Sequence, residues 1–328
     1  MAELTMVGAL NSALREAMRE DDTVVVLGED VGVDGGVFRV TEGLIEEFGE
    51  RRVVDTPLAE AVAVGASLGM ALRGLRPVCE LQFSGFSYFA MHQLESHVAR
   101  MRWRSRGGFS APLVVRMPYG AGVKALEHHS ESKEVYFAHT PGLKVVVPSG
   151  PKNARALLRA AIDDPDPVVF LEPKLIYRAF REEVPDEVEP AELGKPHRAR
   201  EGDDVTLVAY GAMMRTTLAA ADRLANEHRV EADVIDLLTL APLDHAAIAD
   251  SAKRTGRVVI VHEAHRSFGP GAEIVARLVE DAFYHLEAPI ERVTGYDVHV
   301  PYFAREHAYL PDEARIVAAA RRVLASTA

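Results

Sequence analysis

The stretch that most restricts the fold runs from Val53 to Gln82, VVDTPLAEAVAVGASLGMALRGLRPVCELQ. A short β-branched piece, Val53-Val54, breaks at Asp55-Thr56-Pro57. There Asp55 or Thr56 is expected to cap a helix, with Pro57 in its first turn. Small apolar residues then carry a helix from about Leu58 to Leu72. Gly74 stops it, and Pro77-Val78-Cys79 starts the next strand. One carboxylate, Glu60, sits in the first turn of this apolar helix. It is either a helix N-terminal charge facing water, which the helix dipole favours, or a buried acid with a chemical task.

The chain of 328 residues, 48% hydrophobic, is long enough for two α/β domains with separate cores. Gly, Pro or charge interrupts every long apolar run, so no membrane span is expected. The first residues read as an amphipathic helix and carry acids early, unlike a secretion or transit signal. The single cysteine, Cys79, excludes an internal disulfide and fits a reducing cytoplasm. A net charge of −12 argues against a nucleic-acid partner and tolerates a basic protein one.

Thr23 to Leu27 is an unbroken apolar run of the kind found in buried parallel strands. It leads into Gly28-Glu29-Asp30-Val31-Gly32 and Asp34-Gly35-Gly36-Val37-Phe38. These glycines permit a tight loop at a strand's C-terminal end, where open α/β sheets bind ligands. Pro77 to Gln82 is the next strand, followed by Phe83, Phe86, Tyr88 and Phe89. That aromatic crowd is either core or interface, or a wall on which a flat ring stacks. Arg100, Arg102, Arg104 and Arg106 form a solvated basic face or meet an anionic partner. Pro112 to Met117 is a strand, and the polar loop after it carries His128 and His129. Adjacent histidines point in different directions, so a shared metal is not expected, but a loop histidine is a fair acid–base candidate. Asp163, Asp164 and Asp166 mark a turn or a cation site.

The charged, Pro-containing stretch beginning near Phe180 has no periodicity and reads as linker. Domain boundaries are set at 1–185 for the first domain, 186–202 for the linker and 203–328 for the second. Strands at Val205–Tyr210, Glu231–Leu237 and Arg257–His262 alternate with helices, which implies a second mostly parallel sheet.

Three motif matches fail on context. Gly65-Ala66-Ser67-Leu68-Gly69 has the spacing of a nucleophile elbow, but its serine lies mid-helix. His262-Glu263-Ala264-His265 lacks the i, i+4 histidine pair of a helical zinc site. Gly202-Asp203-Asp204 reads as a turn.

Taken together, these blocks resemble the β subunit of the E1 component of 2-oxo acid dehydrogenase complexes. The blocks are GEDVG with GGVF, DTPLAE, RPVCELQF, HHSES, HTPGLKVVVPS, DPVVFLEPKLIYR, GDDVTLVAYG, VIDLLTLAPLD and GYDVHVPYF. They run in order over essentially the whole chain. The resemblance implies an α/β fold of two domains, a transketolase-like pyrimidine-binding domain and a transketolase C-terminal-like domain. It also implies thiamine diphosphate as cofactor, with Mg2+ held mainly by a separate α subunit, and an α2β2 heterotetramer.

In that family the acid of the DTPLAE block contacts N1′ of the cofactor's aminopyrimidine, a position matched by Glu60. Glu29, Leu58, Gln82 and Phe86 match positions lining the pyrimidine pocket, with Phe86 as stacking wall. HHSES carries the family's active-site histidine, and the register of Ser130 and Ser132 places it at His129. Leu113, Ala161, Ile162, Asp164 and Asp166 match a structural monovalent-cation loop, with K+ the candidate ion. Asp166 departs from the asparagine common there.

The implied activity is decarboxylation of a 2-oxo acid and acylation of the lipoyl group of E2, only with an α subunit present. HHSES and GYD-x-x-x-P favour the branched-chain enzymes over the pyruvate ones. The E2 acyltransferase would meet the chain through its lipoyl domain and through a basic peripheral-subunit-binding domain docked on the C-terminal domain. A non-catalytic assembly subunit is the competing reading, against which intact Glu60 and His129 speak. A split sugar transketolase is a third.

Overall fold

The computed structural model describes residues 1–326. The chain divides into two compact units. One comprises Met1–Tyr119 and Tyr136–Leu193; the other comprises Gly120–Val135 and the chain from Gly194 onward.

The first unit opens with β1 (Ala2–Leu4), which pairs antiparallel with β8 (Glu182–Val184). Between them lie β2 (Val24–Gly28), β3 (Val53–Asp55), β4 (Arg76–Glu80), β5 (Val114–Tyr119), β6 (Lys144–Val146) and β7 (Val168–Pro173). Within the unit these six lie in the order β6-β7-β5-β4-β2-β3, every pair parallel. Strands β2, β5 and β7 are buried along their whole length, as strands of a sheet covered on both faces are; β2 is continuously apolar, while β5 and β7 each carry one buried charge, Arg116 and Glu172. The helices Met6–Glu20 and Pro151–Asp163 pack together, joined by Arg155 and Arg159 to Glu16 and Glu20.

The helix after β3 spans Glu60–Leu72, two residues later than the sequence suggests, and its cap position is Ala59. Asp55 ends β3 instead of capping the helix. Its carboxylate accepts the backbone N–H groups of Gly32 at 2.6 Å and Val33 at 3.1 Å, which ties down the glycine loop after β2. The loop needs glycine at Gly35 and Gly36, which have φ of 70° and 80°.

The second unit holds β9 (His197–Arg200), β10 (Val205–Ala209), β11 (Ala232–Asp236), the short β12 (Thr239–Ala241), β13 (Val258–His265) and β14 (Glu291–Gly295). One sheet runs in the order β14-β13-β10-β11-β9, parallel except for β9, which pairs antiparallel with β11. Residues 197–200, expected as linker, are therefore a sheet edge. Ion pairs hold that edge in place: Arg198 to Asp233, and Arg200 to Asp222 and Glu231. Gly202 packs where an added Cβ would lie 2.4 Å from the carbonyl carbon of Ala232, so the Gly-Asp-Asp turn is shaped by close backbone approach. Among the described residues, no helix is long and apolar enough to cross a membrane.

Candidate functional site

In the first unit, three adjacent parallel strands, β3, β2 and β4, end on one rim of the sheet, where open α/β sheets gather ligands. Beyond β2 come Glu29 and Asp30, beyond β3 comes Glu60, and beyond β4 comes Gln82. Glu60 is the first residue of its helix and only 8% exposed. Among the described residues its carboxylate takes part in no hydrogen bond or ion pair. Gln82 donates from Nε2 to Asp30 Oδ2 at 3.0 Å. Phe86 packs edge-on against Phe83, ring centroids 5.7 Å apart at 84°, and the Lys174 ammonium lies 5.8 Å over the Phe83 ring. Leu58, two residues before Glu60, is 73% exposed.

Burial, and then the nearby carboxylates of Asp30 and Glu60, push the Glu29 carboxyl above its ordinary value. The folded chain therefore holds this proton more tightly than the unfolded chain does. Stability is lost as pH rises from the ordinary carboxyl value through the folded one. Glu29→Gln is expected to melt higher than wild type at neutral pH, with the gain disappearing in acid, and to bind cofactor less well. Thermal melts at two pH values check this; an equal shift at both would mean that Glu29 is not strained.

Beneath this rim lies a buried charge network. Arg116 on β5 donates from Nε and Nη2 to the two carboxylate oxygens of Glu172 on β7, each at 2.7 Å, and from Nη1 to Glu80 on β4. The Tyr177 hydroxyl donates to Glu172. Burial pushes the Glu80 carboxyl up against the pull of Arg116. The signal in the sequence was one charge inside each of two apolar strands, Arg116 and Glu172, and an acid, Glu80, at the end of a third.

His128 and His129 lie in a short 3-10 turn, Glu127–His129, within the segment that belongs to the second unit. Their rings do not diverge as expected. The turn brings the centroids to 4.3 Å with the planes tilted by 43°. The Tyr302 hydroxyl holds the Glu127 carboxyl below its usual range. His262 and Glu263 sit on β13, so they point to opposite faces of a strand and cannot form a helical zinc pair. Among the described residues, no group of three or more His, Cys, Asp or Glu could hold a metal ion.

Leu113, Ala161 and Ile162 are buried. The Ile162 carbonyl accepts from the Arg76 guanidinium at 2.8 Å and the Leu113 carbonyl accepts the Val168 N–H at 3.0 Å. Asp164 accepts from the Lys144 ammonium at 2.5 Å and Asp166 from Arg102 at 2.6 Å. Arg102 also lines a groove of about 1470 Å3 with Arg100, Arg104, Arg106, His139 and the exposed Trp103.

Residues 2–179 match the transketolase pyrimidine binding domain, and residues 194–316 match the transketolase C-terminal domain. The chain is 48% identical to a pyruvate dehydrogenase E1 component subunit beta of Acholeplasma laidlawii, over 98% of each chain. It is 50% identical to a 3-methyl-2-oxobutanoate dehydrogenase subunit beta of Mycobacterium tuberculosis, over 98% of this chain and 92% of that one. A solved structure described as a split-gene transketolase, an inactive β4 tetramer, superposes with a TM-score of 0.81 at 23% identity over the whole of both chains. That likeness establishes the fold.

Proposed function

Because the chain belongs to the E1 β subunits of the 2-oxo acid dehydrogenases, we propose that it supplies the pyrimidine-binding half of a thiamine-diphosphate site. With an E1 α subunit it decarboxylates a branched-chain 2-oxo acid and acylates the lipoyl group of E2. The observation that carries this reading is Glu60, a buried carboxylate without a partner in the described chain, at the rim where three parallel strands end. Such an acid suits a heterocyclic nitrogen, with which it can share a proton. When bound, the cofactor supplies the thiazolium carbon at which the 2-oxo acid loses CO2.

Glu60 holds the proton at the aminopyrimidine N1′. Glu29, whose own carboxyl is held above its ordinary value mainly by burial, stands near it. Phe86 and Leu58 bound the flat ring, and Gln82, fixed by Asp30, completes the pocket edge. His129 positions the lipoyl group and moves a proton during acyl transfer. Diphosphate and Mg2+ fall to the α subunit. The need for a partner is supported by an uncovered apolar face on the Glu60–Leu72 helix, with Val62 67% exposed and Leu72 also exposed, beside the exposed Leu58 and Phe89.

Branched-chain acids come first because of the HHSES loop and the GYD-x-x-x-P segment. Pyruvate is the second reading, favoured by the pyruvate dehydrogenase relative. The test is decarboxylation of 2-oxoisovalerate and pyruvate by the chain alone and with its co-expressed α subunit. Activity only with α supports the half-site, and the ratio of the two rates assigns the substrate. Full activity of the isolated chain would sink the half-site.

A basic E2 peripheral-subunit-binding domain is proposed to dock on the second unit. Its exposed acids Glu280 and Glu287 flank the exposed Phe283 and Tyr284. Reversing both acids to lysine should weaken E2 binding and flatten its salt dependence. Unchanged affinity across a salt titration would place the docking surface elsewhere.

A further inference from the structure

The loop that carries His128 and His129 enters the second unit through five residues, Gly120 to Lys124, and none of these belongs to a helix or strand. Their backbone N–H groups need acceptors, since a buried N–H without one is costly. The Gly120 N–H donates to the Glu131 carbonyl at 3.0 Å, and buried carboxylates take three of the others. Ala121 donates to Glu263 Oε2 at 2.8 Å, Gly122 to Glu306 Oε1 at 2.8 Å and Lys124 to Glu306 Oε2 at 2.8 Å. Glu306 is fully buried, and each of its oxygens takes one of these N–H groups. Glu263 is 2% exposed and lies so near Gly120 that an added Cβ would stand 2.6 Å from its Oε1. Gly120 and Gly122 have φ of 85° and 98°, and Lys124 has φ of 58°, a conformation a lysine adopts only when its surroundings impose it. At its far end the loop is held again, where the Tyr210 hydroxyl donates to Glu134 Oε1 at 2.6 Å.

We infer that Glu306, with Glu263, is a positioning residue for the histidine loop: its carboxylate grips the Gly122 and Lys124 N–H groups and thereby sets where His129 stands. A carboxylate suits this task better than any neutral acceptor. Both of its oxygens accept, so two N–H groups two residues apart are gathered on one side chain, and charge-assisted bonds are the strong ones. Glutamine in the same place would turn an NH2 group toward one of the two donors.

The inference rests on the role proposed above for His129, and the experiment separates the two. Glu306→Gln, Glu306→Asp and His129→Ala would be prepared in the complex with the α subunit. In Glu306→Gln, amide hydrogen exchange at Gly122 and Lys124 is expected to accelerate by roughly tenfold or more while β10 and β13 keep their protection. Transfer of the acyl group to a lipoyl domain should lose on the order of tenfold to a hundredfold in kcat. Decarboxylation with an artificial electron acceptor should stay near wild type. Glu306→Asp, which keeps the charge, should recover part of both losses. Unchanged exchange at the two amides, or equal acceleration across the whole unit, overturns the inference. Faster exchange with undiminished acyl transfer overturns it too where His129→Ala abolishes transfer. If His129→Ala is itself fully active, the His129 role fails and the positioning role falls with it, while the exchange data still report whether the acids hold the loop.

Discussion

Glu60→Ala, assayed with the α subunit and saturating thiamine diphosphate and Mg2+, is expected to lose about 10²–10⁴-fold in decarboxylation rate. The size follows from the residue's surroundings. It is 8% exposed at the start of a helix whose other buried residues are Ala63, Val64, Ser67, Leu68 and Ala71. Its carboxylate pairs with nothing described in the chain, which leaves it available to a group from outside. The fold does not depend on it: its removal costs only a favourable helix N-terminal charge, about 0.3–1 kcal/mol. The variant should therefore melt within a few degrees of wild type. Glu60→Gln separates hydrogen bonding from proton transfer, since the amide can face a ring nitrogen but cannot give it a proton. It should retain cofactor binding and still lose most of the rate. A Glu60→Ala protein with wild-type melting and undiminished decarboxylation would remove Glu60 from the proton-handling role and leave it a helix N-terminal charge.

The parts of this molecule that were legible beforehand are those governed by local rules. Thr23 to Leu27 could only be a covered parallel strand, and β2 is buried at every position. The small-residue helix after Asp55 was visible, yet its start was misplaced by two residues because Asp55 has a distant task, holding the N–H groups of Gly32 and Val33. The edge strand β9 looked like linker because His-Arg-Ala-Arg carries no apolar alternation. Ion pairs to Asp233, Asp222 and Glu231 supply what burial usually does. That Gly120–Val135 belongs to the second unit was beyond reach, since the bonds that assign it come from Glu263 and Glu306, each more than a hundred residues further on. Local pattern reports periodicity and punctuation; it does not report which buried charge will meet which.

The Arg116 network is the case where that blindness costs most in stability. Arg116→Met keeps the length and apolar stem of the side chain but leaves Glu80 and Glu172, on the two strands flanking β5, buried without their shared cation. Breaking a buried ion pair from one side typically costs about 3–5 kcal/mol, because the desolvated partner remains. In a domain of this size that corresponds to a fall of roughly 10 °C in melting temperature.

The loss should depend on pH in a definite direction. The Glu80 carboxyl is already pushed up by burial and is drawn down by Arg116. Without the guanidinium the folded state favours the protonated acid still more strongly. The variant's deficit is then greatest at neutral pH and shrinks as pH falls through the folded carboxyl's range. Adding Glu80→Gln to Arg116→Met should restore part of the stability, a coupling that independent sites would not show. The functional consequence follows from position. Glu80 ends β4, and Gln82 of the proposed pyrimidine pocket is two residues on, so the variant should also bind cofactor more weakly even at temperatures where it is folded. Thermal melts across pH and a cofactor titration well below the melting point measure both effects. A deficit below about 1 kcal/mol, or one that does not change with pH, would mean that the two carboxylates find other donors and that the guanidinium is not what holds the three strand ends together.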